Sequence, residues 1–196
     1  MGKKPFILGV ILAGGQGMRM GGLNKGEVKL SGYPLVEWAF MGLSPQVGQV
    51  VVNASSAIGL EVPFAADKTP DIKGPLAGVL AALAWGRENL KKPFAIVTVA
   101  IDTPFFPNNL VTKLSKTGAP ALAAVGGEAQ TTFGYWPAEI EEVLKAYTAE
   151  APNPSIRGFA KQTDVALVKF KRANQFFNIN TPEDLAKAEG MAGQLL

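Results

Sequence analysis

Three short runs of the chain are apolar at nearly every position: Phe6 to Leu12 (FILGVIL), Gln49 to Asn53 (QVVVN) and Phe94 to Ala100 (FAIVTVA). A strand with one wet face alternates apolar and polar residues, so unbroken runs predict strands covered on both faces. Between the runs the pattern lengthens. Leu35 to Leu43 and Pro75 to Asn89 read as helices, and in the second Ala77, Gly78, Ala81 and Ala82 permit a close approach to a sheet. Glu27 to Leu30 and Ser31 to Pro34 read as a short excursion and a turn. Further on, the pattern predicts a helix around Asn109 to Lys116 and a strand from Pro120 to Val125. A turn at Gly126-Gly127 and a strand from Thr131 to Trp136 follow. Ile140, Val143, Leu144 and Tyr147 recur at helical spacing until Pro152-Asn153-Pro154 ends that helix. A short helix over Ser155 to Lys161 and a strand over Asp164 to Phe170 come next. The last helix carries its own start signal: Thr181 as N-cap, Pro182 at the first helical position and Asp184 three residues on as the reciprocal partner.

Apolar strands alternating with helices predict an α/β fold in three layers, a mostly parallel sheet with helices on both faces. With no internal repeat, low-complexity tract or linker, the 196 residues are expected to form a single domain over 1–196. The longest apolar stretches, Pro75 to Gly86 and Phe94 to Ile101, fall well short of the ~20 residues a membrane-spanning helix needs. The run after Met1-Gly2-Lys3-Lys4-Pro5 reads as a first strand and not as a leader. The expectation is a cytoplasmic protein with no membrane partner.

Composition narrows the chemistry. There is no cysteine and no histidine. Disulfides, thiolate nucleophiles, Ser-His-Asp catalysis and zinc sites built on nitrogen or sulfur are therefore excluded. Carboxylates, Lys, Arg, hydroxyls, amides and backbone remain, together with a hard cation such as Mg²⁺ on oxygen ligands. The net charge of +3 is mild, and the cations are scattered without aromatic interleaving. That balance points away from nucleic acid and suits a small polyanion.

The chemistry concentrates behind the first strand, in ILAGGQGMRMGGLNKGEVKL, residues 11–30. Ligands of α/β sheets sit outside the carboxyl ends of the strands, where this loop lies. The dinucleotide fingerprint G-x-G-x-x-G fails, since counting from Gly15 and Gly17 its last position is Met20. The P-loop fails as well, because Lys25 follows Asn24 and precedes Gly26. What remains is a run of glycines whose backbone N–H groups can face an anion, with Arg19 as a planar fork and Lys25 as a point charge. Asp102, directly after the third buried strand, is placed to hold a cation that bridges phosphate oxygens.

The pattern Leu12-Ala13-Gly14-Gly15, Arg19-Met20-Gly21, Lys25 and then Gly32-x-Pro34-Leu35 resembles the signature of nucleotidyltransferases of the glycosyltransferase-A-like fold. Gly22, Gly74-Pro75-Leu76-Ala77-Gly78, Asp102-Thr103-Pro104-Phe105 and Asn178 to Leu185 (NINTPEDL) narrow the resemblance to the molybdenum cofactor guanylyltransferases, over nearly the whole chain. The resemblance implies the Rossmann-like fold of the nucleotide-diphospho-sugar transferases. It also implies transfer of GMP from GTP to molybdopterin with release of pyrophosphate. By position, Leu12, Ala13, Gly14 and Gly15 would bind nucleotide through backbone, and Arg19 and Lys25 would hold phosphates. Asn53 and Asp67 would contact the nucleoside, Asp67 preferred over Asp71 for its spacing to Gly74-Pro75. Asp102 would bind Mg²⁺, and Arg19, Lys25 and Asp102 would form the catalytic set. Asn178 and Asn180 would line the acceptor side, and Ser155 and Arg157, after Pro154, would meet the acceptor phosphate. An accessory GTP-binding protein and molybdoenzyme targets are the candidate partners.

The chain departs from the family pattern at three places: Asn24 stands where Asp usually precedes the motif lysine, Gln130-Thr131 where His-Pro is common, and Ile101 where a cysteine often precedes the metal aspartate. Two other readings therefore stay open on the residues. One is a sibling enzyme of the same fold, a cytidylyltransferase or a sugar-phosphate nucleotidyltransferase. The other is a nucleotide-binding escort protein impaired in catalysis.

Overall fold

In the computed structural model, the described residues are 4–14, 27–54, 59–68 and 71–193. The unbroken apolar runs form strands β1 (Phe6–Leu12), β4 (Gln49–Asn53) and β5 (Phe94–Ala100), which lie side by side and parallel at one end of a six-stranded sheet. The sheet continues with β6 (Ala121–Val125), β7 (Glu128–Pro137) and β8 (Ala166–Phe170), in the order β4-β1-β5-β7-β6-β8. Only β7 runs antiparallel to its neighbours. It returns from β6 through a two-residue turn, and Gly126 at φ +59° and Gly127 at φ +89° supply the left-handed backbone that such a turn requires.

Helices cover both faces. Helices α1 (Leu35–Leu43), α3 (Leu110–Ser115) and α6 (Pro182–Ala192) lie on one face, over Ile11, Val97, Val99, Phe106 and Phe133. Helices α2 (Pro75–Asn89), α4 (Glu141–Glu150) and α5 (Ile156–Gln162) lie on the other, over Leu8, Val10, Ile96, Leu122 and Trp136. Alternation along β1 shows why its run had to be apolar throughout: Leu8, Val10 and Leu12 serve one core while Ile7 and Ile11 serve the other. Gly9 sits where a Cβ would come within 2.9 Å of Leu43 and Val47, so α1 packs close to the strand. The buried Trp136 indole finds a partner inside the sheet, donating to Thr98 Oγ1 at 3.3 Å. No helix among the described residues is long and apolar enough to cross a membrane.

Beyond one-residue shifts at element ends, three stretches differ from expectation. β7 begins at Glu128 and not Thr131, because the tight glycine turn brings Glu128 straight into register with Val125. β8 begins at Ala166 and not Asp164, because Val165 N–H turns back onto the Thr163 carbonyl at 2.9 Å before pairing starts. Lys29 to Pro34, read as an excursion and a turn, is a small hairpin of β2 (Lys29–Leu30) and β3 (Tyr33–Pro34). Its turn residues Ser31 and Gly32 both have positive φ, +48° and +85°. Serine is unusual in that region, and here the Glu189 carboxylate of α6 accepts from Ser31 N–H at 2.8 Å and from its hydroxyl at 2.6 Å. Those two bonds, the hydroxyl's foremost, hold the Glu189 carboxyl below its ordinary value.

Candidate active site

The ends of β4, β1 and β5 are stitched together by backbone. Ala13 N–H donates to the Asn53 carbonyl at 2.9 Å, and Ile101 N–H donates to the Leu12 carbonyl at 3.2 Å. These bonds continue the parallel ladders one residue beyond the strands, so Gly14, Asn53 and Asp102 are carried to the same edge of the sheet. Leu12 is buried, Ala13 half-buried and Gly14 exposed, a progression from core to surface at the end of β1. Gly15, Arg19 and Lys25, and with them Asn24, lie outside the described residues.

Asn53 is buried at 3% exposure, and its amide nitrogen is fully engaged: Nδ2 donates to the Ala65 carbonyl at 2.9 Å and to Asp67 Oδ1 at 2.7 Å. Residues 63–65 run beside β4, with Val52 N–H bonded to Pro63 O at 3.0 Å and Ala65 N–H bonded to Val52 O at 2.9 Å. That pairing delivers Asp67, and not Asp71, to Asn53. Asp67 is exposed, so what Asn53 presents toward the open side is an oriented carboxylate. Gly14 is close by, since a Cβ there would lie 3.0 Å from Asn53 Oδ1 and 3.8 Å from Asp67 Oδ2. Gly78 of α2 closes the other side. A Cβ at that position would press into the Asn53 amide and come within 2.7 Å of Leu12 Cδ2. Gly74, with φ +79°, supplies the turn into α2 that Pro75 then starts.

Asp102 is half-buried, and Thr103 Oγ1 donates to its Oδ1 at 3.3 Å. The Asp102 carbonyl accepts from Ile179 N–H at 2.8 Å, which fastens the Asn178–Asn180 segment to the end of β5. Asn178 and Asn180 are both exposed. The predicted cap is present: Thr181 Oγ1 accepts from Asp184 N–H at 3.1 Å, and Asp184 Oδ2 accepts from Thr181 N–H at 3.1 Å. Asn180 N–H adds a third bond to Asp184 at 3.1 Å and is the main reason this carboxyl lies below its ordinary value. Asp102, Asn178 and Asn180 are thus brought together.

Ser155 and Arg157 lie at the start of α5, which covers the opposite face of the sheet from α6. Ser155 is the N-cap of α5, its hydroxyl accepting from Gly158 N–H at 3.0 Å. Arg157 lines a cavity of about 260 Å³ with Gly127, Glu128 and Leu167, on the face that α5 covers, and none of Asp102, Asn178 or Asn180 lines it. Reading by sequence missed Thr103 as the residue that orients Asp102 and the Gly78 contact with Asn53. The missing side chain at Gly78 was the only local sign of the latter.

The profile of the MobA-like NTP transferase domain matches residues 9–165. The chain is 40% identical, over 191 residues, to a molybdenum cofactor guanylyltransferase of Cereibacter sphaeroides, spanning 94% of this chain and 96% of the relative. It belongs to the molybdenum cofactor guanylyltransferase family. A second relative of that name, from Rhizobium johnstonii, is 39% identical over 95% of this chain and 93% of its own length. The fold agrees with that of the molybdenum cofactor guanylyltransferases. The crystal structure of molybdopterin-guanine dinucleotide biosynthesis protein A from Archaeoglobus fulgidus superposes with a TM-score of 0.75 at 25% identity, over 95% of this chain and 99% of that one. The 2-C-methyl-D-erythritol 4-phosphate cytidylyltransferase of Thermus thermophilus, at 18% identity and a TM-score of 0.65 over 94% of this chain and 98% of that one, shares the fold alone.

Proposed function

We propose that this protein transfers GMP from GTP to molybdopterin in the cytoplasm, releasing pyrophosphate and forming the molybdopterin guanine dinucleotide. The observation that carries the reading is the 40% identity to a curated guanylyltransferase across 94% of the chain. The geometry is in keeping with it, with Gly14, an Asn53-oriented Asp67 and Asp102 all at the carboxyl edge of one parallel sheet. In this reading Leu12, Ala13, Gly14 and Gly15 bind the nucleotide through backbone, Arg19 and Lys25 hold phosphates, and Asn53 acts on the nucleoside through Asp67. Asn178 and Asn180 face the acceptor. An accessory GTP-binding protein and molybdoenzyme targets complete the set of partners.

The reaction needs no histidine. The acceptor is a phosphate, already anionic near neutral pH, so no base is required to create the nucleophile. Catalysis then consists of holding two anions in line and neutralising charge at the α-phosphorus and the departing pyrophosphate. Asp102 is suited to hold Mg²⁺. It offers a half-buried carboxylate at a strand end, and such an ion is ordinarily held by one or two carboxylates with substrate phosphates and not by a closed protein cage. Among the described residues, no cluster of three or more His, Cys, Asp or Glu forms such a cage. When bound there, Mg²⁺ would neutralise charge on the phosphate oxygens.

The test is a panel of four nucleoside triphosphates with molybdopterin, scored by dinucleotide product, with Lys25→Ala and Asp102→Ala beside the wild type. GTP alone should be consumed, and each variant should lose roughly a hundredfold in turnover, about 3 kcal/mol of barrier, while its far-UV circular dichroism stays native. Consumption of CTP alone would replace the guanylyl assignment, and unchanged turnover in either variant would remove that residue from the mechanism.

A further inference from the structure

A cavity of about 450 Å³ lies on the face of the sheet that α1 and α3 cover, at the end away from Asp102. Ile7, near the start of β1, lines it, whereas Asp102 follows the far end of β5. A strand rise of about 3.3 Å per residue sets the two ends of β5 roughly 20 Å apart. Val111 of α3 and Gln46, in the turn after α1, supply two walls. Gln46 is a fixed one. Its Nε2 donates to the Gly42 carbonyl at 2.8 Å and the Pro107 carbonyl at 3.2 Å, and its Oε1 accepts from Val111 N–H at 3.1 Å.

The third wall is Tyr135 of β7. Against β6 the β7 ladder slips, with Leu122 opposite Gly134 but Ala123 opposite Gln130, a bulge over Thr131 to Phe133. Past the bulge, Tyr135 pairs with Ala121 on one side and Val97 on the other, so two strands hold its backbone. The residue is 3% exposed, yet its hydroxyl has no hydrogen-bond partner among the described residues. Other buried polar groups are bonded: Trp38 to the Leu30 carbonyl, Trp136 to Thr98, Asn53 to Asp67 and Thr103 to Asp102. Among the described residues no fully enclosed side-chain nitrogen or oxygen lacks a partner, so the phenol reaches the space left to it, the cavity it lines. Burial first, and the Glu139 charge second, push this phenol above its ordinary value, so it stays a proton donor.

Lys4 and Lys116 also line the cavity; both are exposed, and neither has an ion-pair partner among the described residues. No acidic side chain is in the lining. A buried donor without a partner, below two unpaired cations, suits the charged end of an anion, and Ile7 and Val111 suit an apolar body beside it. We propose that this cavity binds a small amphiphilic anion, an apolar body bearing one phosphate or carboxylate that accepts from the Tyr135 hydroxyl and pairs with Lys4 and Lys116. It is a second site, remote from the Asp102 edge and independent of the guanylyl-transfer reading.

Titration calorimetry of the full chain with phenyl phosphate and with benzoate tests it. At least one of the two should bind one-to-one, and the tighter one tells phosphate from carboxylate. Tyr135→Phe, which keeps the ring, should weaken that binding about tenfold, as expected for one lost hydrogen bond to a charged group. Lys4→Ala/Lys116→Ala should weaken it at least as much, with native far-UV circular dichroism in both variants, and Lys25→Ala should leave it unchanged. Loss of binding in Lys25→Ala would place the anion in the nucleotide loop and overturn the proposal. So would wild-type affinity in either cavity variant, inorganic phosphate binding as tightly as both probes, or no saturation by either probe up to about 10 mM.

Discussion

At Gly78 two rules of helix chemistry oppose each other. An alanine in the middle of α2 should gain up to ~1 kcal/mol of helix propensity. Its Cβ, however, would press on the Asn53 amide and on Leu12 Cδ2 at 2.7 Å, and overpacking of that kind costs about 1–3 kcal/mol. The contact should win. Gly78→Ala is expected to lower the thermal midpoint and to weaken GTP binding in titration calorimetry, because the displaced amide is the one that orients Asp67 at 2.7 Å. An alanine variant more stable than wild type, with unaltered GTP affinity, would show that α2 shifts without disturbing Asn53. The site is half legible at this scale. Asn53 and Asp67 stand out in the sequence, but nothing local tells which is buried and which is exposed, or that the two are bonded. That division follows from the way the chain between them folds back beside β4.

Between elements, the best-defined electrostatic contact joins α2 to α4. Glu141, 3% exposed, bonds Arg87 of α2 at 2.7 Å and Lys145 of its own helix at 2.8 Å. Burial alone would raise the Glu141 carboxyl, but the hydrogen bonds and charges of Lys145 and Arg87 bring it below the ordinary glutamate value of 4.5. A carboxyl lowered on folding contributes stability that is complete above its unfolded value and fades as pH falls through the folded one. Glu141→Gln should therefore lose about 1–2 kcal/mol near neutral pH, a modest figure because both cations are more than half exposed and screened by water. In urea denaturation the gap between variant and wild type should narrow progressively as the pH falls below the ordinary glutamate value of 4.5. A gap that does not narrow at all on acidification would mean the loss is one of packing. The helices themselves were readable from the chain, α6 most of all through Thr181, Pro182 and Asp184. The β7 bulge was not, since Thr131 to Trp136 reads as ordinary strand and the extra residues show only against β6.

At the scale of the molecule, both cores rest on one sheet, and β1 supplies residues to each. A loss on either face should therefore weaken the same cooperative unit. Leu83→Ala in α2 and Leu110→Ala in α3 each remove a fully buried side chain on opposite faces and should each cost about 2–5 kcal/mol. In both, near-UV and far-UV denaturation curves are expected to coincide and shift together, as for a single domain. Separate transitions for the two probes in either variant would mean that the faces unfold independently.

Local pattern in the chain is enough to place the six strands of the main sheet and the helices, the start of the last helix, and the absence of thiol and imidazole chemistry. Those properties depend on neighbours within a few positions: hydrophobic period, capping residues, glycine at a turn. The strand order, the reversal and bulge of β7, and the pairing of Asn53 with Asp67 come only with the tertiary structure. Each of these depends on which buried faces meet across long stretches of chain, and that is settled only when the two cores close on the shared sheet.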